Sequence, residues 1–130
     1  MTFDAIGIAG SALTVHRKWL DAVADNMANA NTATSTNGAA FQARYLEVEA
    51  GAGTSGVYVK AAAFGDPAGR LAYEPTNPLA DAKGYVRYPD IDLGSQMSQL
   101  ILAQRGYQAN AAVVERAKSS YEAALQIGRS

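Results

Sequence analysis

The chain has 130 residues with 11 Lys and Arg against 12 Asp and Glu, a formal charge of −1, and no cysteine. One domain's worth of core is all that this length supplies. The balanced, scattered charge excludes the basic stripe of a nucleic-acid binder, and the missing cysteines exclude disulfides, thiolate ligands and a cysteine nucleophile. No apolar run approaches the roughly 20 residues that span a bilayer, which predicts no membrane insertion. The first ten residues lack a basic n-region, so no cleaved secretory signal is expected.

The N-terminal segment, residues 2–30, is predicted to be a helix. Thr2 offers a cap and Asp4 a negative charge in the first turn, where the helix dipole favours it. Ile6, Leu13, Leu20 and Met27 fall seven apart, and Ala9, His16, Val23 and Ala30 fill the second seam position. A seven-residue period marks helices that pack along each other's length. Gly7, Gly10 and Ser11 either permit close approach of another backbone or are simply tolerated on a surface helix. Trp19, one residue off the seam, is expected to pack on a neighbour. Asn26, Asn29 and Asn31, with Thr32 and Thr34, are expected to erode the helix into a polar loop.

Residues 33–92 read differently. The run 41–48 is strand-like, but its apolar phase changes between Tyr45 and Leu46, which predicts a bulge or a change of burial partner. Gly51, Gly53 and Gly56 make a flexible connection into a strand over 57–64. Asp66-Pro67-Ala68-Gly69 is a turn by composition and leads to a short strand over 70–74. Pro75-Thr76-Asn77-Pro78 is expected to be irregular, and 85–88 is a last extended piece before Pro89.

A second helix is predicted over 93–127, capped by Asp92 and about 50 Å long at about 1.5 Å per residue. Leu93, Leu100, Tyr107, Val114 and Tyr121 are heptad-spaced, beside a smaller series of Gln96, Ala103, Asn110, Ala117 and Ala124. Large residues on one side and small on the other suit an antiparallel or bundle-like neighbour. Asn110 is either a register-setting polar residue or faces solvent. The fold class is therefore mainly α with a small β-rich insert. The terminal helices pair as an antiparallel coiled-coil-like hairpin, and the chain divides at 1–32, 33–92 and 93–130.

No catalytic template is filled. His16 is the single histidine and is expected to pack or hydrogen-bond, since no partners for a triad or zinc site accompany it. Asp90 and Asp92 resemble a fragment of a carboxylate metal loop, and helix capping is the simpler role. The stretch 51–56 lacks the Gly-Lys-Ser/Thr that would cradle phosphates. No catalytic, metal or cofactor-binding residue is assigned, and the chain is expected not to be an enzyme.

Three motifs carry a resemblance over essentially the whole chain. Gly10-Ser11-Ala12-Leu13-Thr14, then Asp25-Asn26-Met27-Ala28-Asn29-Ala30-Asn31-Thr32, resembles the N-terminal motif of bacterial flagellar rod, hook and hook-associated proteins. The run Tyr73-Glu74-Pro75-Thr76-Asn77-Pro78-Leu79-Ala80-Asp81-Ala82-Lys83-Gly84-Tyr85-Val86 is similar to that of the proximal rod family of the FlgC type. Tyr107-Gln108-Ala109-Asn110, with Val114 and Lys118, resembles the C-terminal axial motif. Neither the 51–56 loop nor the stretch 33–38 matches a family motif.

The resemblance implies a structural subunit of the flagellar rod, whose terminal helices polymerise to form the wall of the export channel and transmit torque. It implies export through the flagellar type III apparatus, a basal-body location in the periplasmic space, and no cofactor. Implied partners are other rod proteins, the rod-to-membrane-ring adaptor and further copies of the chain. The assembly residues it points to are Ile6, Leu13, Leu20, Met27, Asn26, Asn29, Asn31, Leu100, Tyr107, Asn110, Val114 and Tyr121. Tyr73, Pro75, Tyr85 and Tyr88 either bridge to other subunits or form the insert's own core. A secreted helical adaptor or binding module of another assembly is the alternative. It would show stable monomeric helices with one partner, or an insert that folds alone.

Overall fold

The structure, a computed structural model, describes residues 2–129, and the side chains from Phe3 to Arg129. Two helices enclose four short strands. They are α1 (Thr2–Asn29), β1 (Arg44–Ala50), β2 (Val57–Phe64), β3 (Arg70–Tyr73), β4 (Tyr85–Tyr88) and α2 (Leu93–Gly128). The expected capping side chain of Thr2 lies outside the described side chains. Asp92 caps α2 as expected, its carboxylate accepting from the Gly94 N–H at 3.0 Å.

α1 and α2 pack antiparallel. Phe3 meets Tyr121 edge-to-face at 5.1 Å at one end of the pair, and Asn26 bonds Gln96 at the other. Small residues dominate the buried positions: Ala9, Val15, Ala22 and Val23 on α1, Ala30 just past its end, and Gln96 and Ala103 on α2. The large series of α2 lies on the flank, with Leu93, Tyr107 and Tyr121 exposed and Leu100 and Val114 half-buried. Short side chains on the facing stripe let the backbones approach closely, and burial gathers at the Asn26–Gln96 end. From Lys118 to Arg129 every residue of α2 is exposed.

The insert holds two separate antiparallel ribbons, β1–β2 and β3–β4. β2 and β4 match the expected spans, and β3 stops at Tyr73. β1 begins at Arg44 rather than at Phe41, because the chain before it is pinned to the following turn. Ala40 N–H donates to Pro67 O, Gln42 Nε2 to Gly65 O, and Gly65 N–H to Ala43 O. The bulge exists but sits between Glu47 and Val48, where the register jumps from Ala61 to Val59 and leaves Lys60 as the extra residue on β2.

The 51–56 connection is a closed turn rather than a loose loop: Gly51 N–H donates to Gly56 O at 2.7 Å. Gly56 has φ +80°, and a Cβ there would fall 2.1 Å from Ser11 Oγ. The same hydroxyl donates to Ile8 O and accepts from the Val57 N–H. So the ribbon's tip rests on α1 through Ser11, and its root is held by Asn26.

Candidate assembly surface

The hairpin contact contains two polar or size-matched devices. Asn26 was expected to loosen the helix, yet α1 continues through Asn29 and Asn26 is only 1 % exposed. Its Nδ2 donates to Gln96 Oε1 (3.1 Å) and to Arg44 O (3.0 Å), while its Oδ1 accepts from Arg44 N–H (2.8 Å). Each bond closes a buried polar group, which makes Asn26 compatible with a mid-helix, interior site. One side chain thereby ties α1, the root of β1 and the first turn of α2.

The second device is His16 over Gly106. His16 Nδ1 lies 2.7 Å from Ala12 O, so that nitrogen carries the proton. The ring's far edge fills the space beside Gly106, where a Cβ would come 2.2 Å from Nε2. His16 has the packing role expected of it, and Gly106 is the residue that admits it. Trp19 packs across the hairpin and against the ribbon, as expected of a side chain off the seam. Its Nε1 donates to Gln99 Oε1 at 3.4 Å, and it lines a small cleft with Val15, Leu46 and Val48.

The remaining assembly candidates divide. Ile6, Leu13, Leu20 and Met27 are half-buried, Asn29 bonds Asp25 O within α1, and Asn31 is exposed. Asn110 donates to Gly106 O four residues back, so its amide is spent within α2. The residues that the hairpin leaves exposed on α2 include many large apolar ones: Leu93, Met97, Ile101, Leu102, Tyr107, Val113, Tyr121 and Leu125. Large apolar side chains exposed in this number along one helix mark it as an interaction element.

The β3–β4 connection, which contains the run resembling proximal rod proteins, is ordered by its own side chains. Glu74 Oε2 accepts from Asn77 Nδ2 and Oε1 from the Tyr88 hydroxyl. Asp81 Oδ1 accepts the N–H groups of Lys83 and Tyr85, and Oδ2 accepts the Thr36 hydroxyl. Gly84, at φ +84°, closes the turn beneath Tyr73 and Pro75. Arg87 ties the 33–38 stretch to this unit. It pairs through its backbone with Thr34 and donates from its guanidinium to Thr36 O and Ala68 O.

The insert tyrosines consequently play different parts. Tyr88 is half-buried, bonded to Glu74 and stacked under Arg70 at 4.9 Å. Tyr73 and Tyr85 pack edge-to-face at 5.3 Å, yet Tyr73 remains 65 % exposed and Pro75 is exposed beside it.

These bonds predict a pH window for the insert. The Asn77 and Tyr88 bonds, with the Arg70 charge, lower the Glu74 carboxyl against its desolvation. The Tyr85 and Lys83 amides, the Thr36 hydroxyl and the Lys83 charge lower Asp81 likewise. The Glu74 bond, followed by desolvation, raises the Tyr88 hydroxyl. The carboxylate contribution is complete above the ordinary value of about 4 and is lost as pH falls through the lowered values. That of Tyr88 is complete below about 10 and is lost as pH rises through its raised value. Near-UV circular dichroism of the tyrosines should be flat between those limits and fall on both sides. Glu74→Gln should shrink the acid limb to the part owed to Asp81; an unchanged acid limb would remove Glu74 from this account.

Among the described residues no group of three or more His, Cys, Asp or Glu side chains is placed to hold a metal ion, and no helix is long and apolar enough to cross a membrane. Two helices with an uncovered apolar flank, and an insert rigidified by its own polar bonds, are the arrangement of an assembling subunit. Comparison with known proteins agrees. Residues 82–127 match the family described as flagellar basal body rod FlgEFG protein C-terminal. The chain is 41 % identical over 126 residues to the flagellar basal-body rod protein FlgC of Escherichia coli O6:H1, covering 94 % of each. It is 42 % identical over 127 residues to FlgC of Yersinia enterocolitica, again covering 94 % of each, and 29 % identical to that of Bacillus subtilis, covering 98 % of each. With this identity running through both helices and the insert, the chain belongs to the FlgC family of flagellar basal-body rod proteins.

Proposed function

We propose that this chain is a structural subunit of the proximal rod that polymerises through α1 and α2. In the polymer the helix pair lines the wall of the export channel, and the insert bridges outward and laterally so that torque passes from rotor to hook. The observation carrying this reading is the apolar flank of α2, which the hairpin leaves exposed from Leu93 to Leu125. A face of that length suits packing along neighbouring helices rather than one small ligand.

Its partners on this reading are other rod proteins, the adaptor joining rod to membrane ring, and further copies of itself. The subunit reaches the periplasmic rod through the flagellar type III export apparatus without cleavage, and it performs no catalysis. Ile6, Leu13, Leu20 and Met27 contribute the α1 part of the contact, and Leu100, Tyr107, Val114 and Tyr121 the α2 part. Tyr73 and Pro75 are the outward contacts of the insert. The thinly buried end of the hairpin, around Phe3 and beyond Lys118, orders fully on docking, since ordering costs about 1–2 kcal/mol of backbone entropy per residue and little burial within the chain offsets it.

Tyr107→Asp is the direct test. The side chain is exposed, so the variant should keep the parent's helicity and be exported at the parent's level, while rods lack it and cells do not swim. Basal bodies that incorporate Tyr107→Asp at normal levels would overturn the assignment of the α2 flank.

A further inference from the structure

We propose that the Asn26–Gln96 bond and the His16–Gly106 fit act together to select one axial register of the α1–α2 hairpin. The hairpin's facing stripe is poor in register information. Ala9 and Ala22 on α1, Ala30 just past it, and Ala103 and Ala117 on α2 are short side chains with little shape to interlock. Short side chains interlock weakly, so close packing alone separates alignments one heptad apart less sharply than branched or aromatic residues would.

The two polar devices remove that ambiguity. Asn26 and Gln96 are 1 % and 2 % exposed and bonded to each other, and His16 sits against Gly106. The same number of residues separates Asn26 from His16 on α1 as separates Gln96 from Gly106 on α2. Both pairs therefore specify a single antiparallel alignment. Moving α2 by one heptad in one direction sets Ala103 opposite Asn26 and Val113 opposite His16. The buried amide then lacks its acceptor, and a branched side chain meets the ring where only glycine leaves room. Moving it the other way sets Pro89, which precedes α2, opposite Asn26 and shortens the overlap.

This pair of pins explains two features at once. It accounts for a buried amide pair inside an alanine-rich contact, where polar groups are retained for specificity rather than for stability. It also accounts for a glycine in the middle of a 36-residue helix, where glycine costs about 1 kcal/mol relative to alanine. Asn110, the polar residue that sequence spacing singles out for such a role, bonds only within its own helix. The consequence for assembly rests on the function proposed above; the register itself does not. A slipped hairpin displaces the apolar flank of α2 along that of α1 by about 10 Å, at about 1.5 Å per residue.

The absence of cysteine makes the test clean. Spin labels placed on Asp21→Cys and Glu115→Cys, both exposed positions well separated along the hairpin, report its register by electron–electron distance in the full-length chain. The labelled parent should give one narrow distance. Adding His16→Ala and Gln96→Leu together should produce a second population several ångströms away, with far-UV circular dichroism unchanged. A single unshifted distance in the doubly altered chain would overturn the proposal, as would a broad distribution in the parent. Neither result depends on rod incorporation, so failure here is distinguishable from failure of the Tyr107→Asp test.

Discussion

Asn26→Leu is expected to lower the unfolding free energy by about 3 kcal/mol, read as a fall in urea midpoint at unchanged slope. Leucine fits the helix better than asparagine, so the loss comes wholly from the partners left behind. The part-buried Arg44 N–H and C=O and the buried Gln96 amide each lose a bond. A buried group stripped of its partner costs about 1–3 kcal/mol, and the gain in helix propensity and apolar burial offsets only part of three such losses. Asn29→Leu is the internal comparison. Its amide donates to Asp25 O and accepts from the Thr32 hydroxyl at 3.5 Å, both at exposed sites, so its loss should stay within about 0.5 kcal/mol. If the two variants unfold together, the buried network is not what holds the base of the hairpin.

Gly69→Ala should cost about 4 kcal/mol and lower the melting temperature by roughly 15 °C. Gly69 has φ +55°, and a Cβ there would lie 2.1 Å from the Tyr88 backbone oxygen and 2.7 Å from Ala40 Cβ. The first contact is with backbone that is fixed in the β3–β4 ladder through Arg70 and Tyr88, so it has no rotamer by which to yield. The insert must open at the point where its turn, the 40–43 segment and the last strand converge. Gly53 offers the contrast: its φ is +59° with nothing within 4 Å, so alanine there meets only the left-handed backbone penalty of about 1–2 kcal/mol. Equal melting temperatures for the two alanine variants would show that the close approach at Gly69 relaxes freely.

These two variants also mark where sequence reasoning stops. The boundaries of both helices and of β2 and β4 were legible because local chemistry sets them, whereas the start of β1 depended on bonds to a distant turn. Asp92 caps, Asp66 to Gly69 turns, and the β-like run 57–64 gives a strand with the expected ends. Asn26 was not legible as an interior residue, because helix propensity treats asparagine as a breaker and its partner Gln96 lies 70 residues away. Gly106 was silent for the same reason: only the folded hairpin brings His16 over it. Heptad spacing identified both stripes of α2 but not which one faces α1. Tyr107 is the bulkier choice, yet Ala103 is the fully buried residue and Tyr107 stays exposed, while Tyr121 meets Phe3 at the open end. In the insert, the run shared with proximal rod proteins drew attention as a contact surface. Much of it instead organises itself, through Glu74, Asn77 and Asp81.

The unequal lengths of the helices carry a mechanical consequence. α2 has 36 residues and α1 has 28, so about 12 Å of α2 projects as a cantilever at about 1.5 Å per residue. A beam clamped at one end deflects under a side load with the cube of its free length, so this projecting end yields more readily than the packed part of α2. Clamping it from neighbouring helices would convert a free end of the isolated molecule into a loaded strut. Resistance to twist is then a property that the polymer acquires and the single chain does not possess.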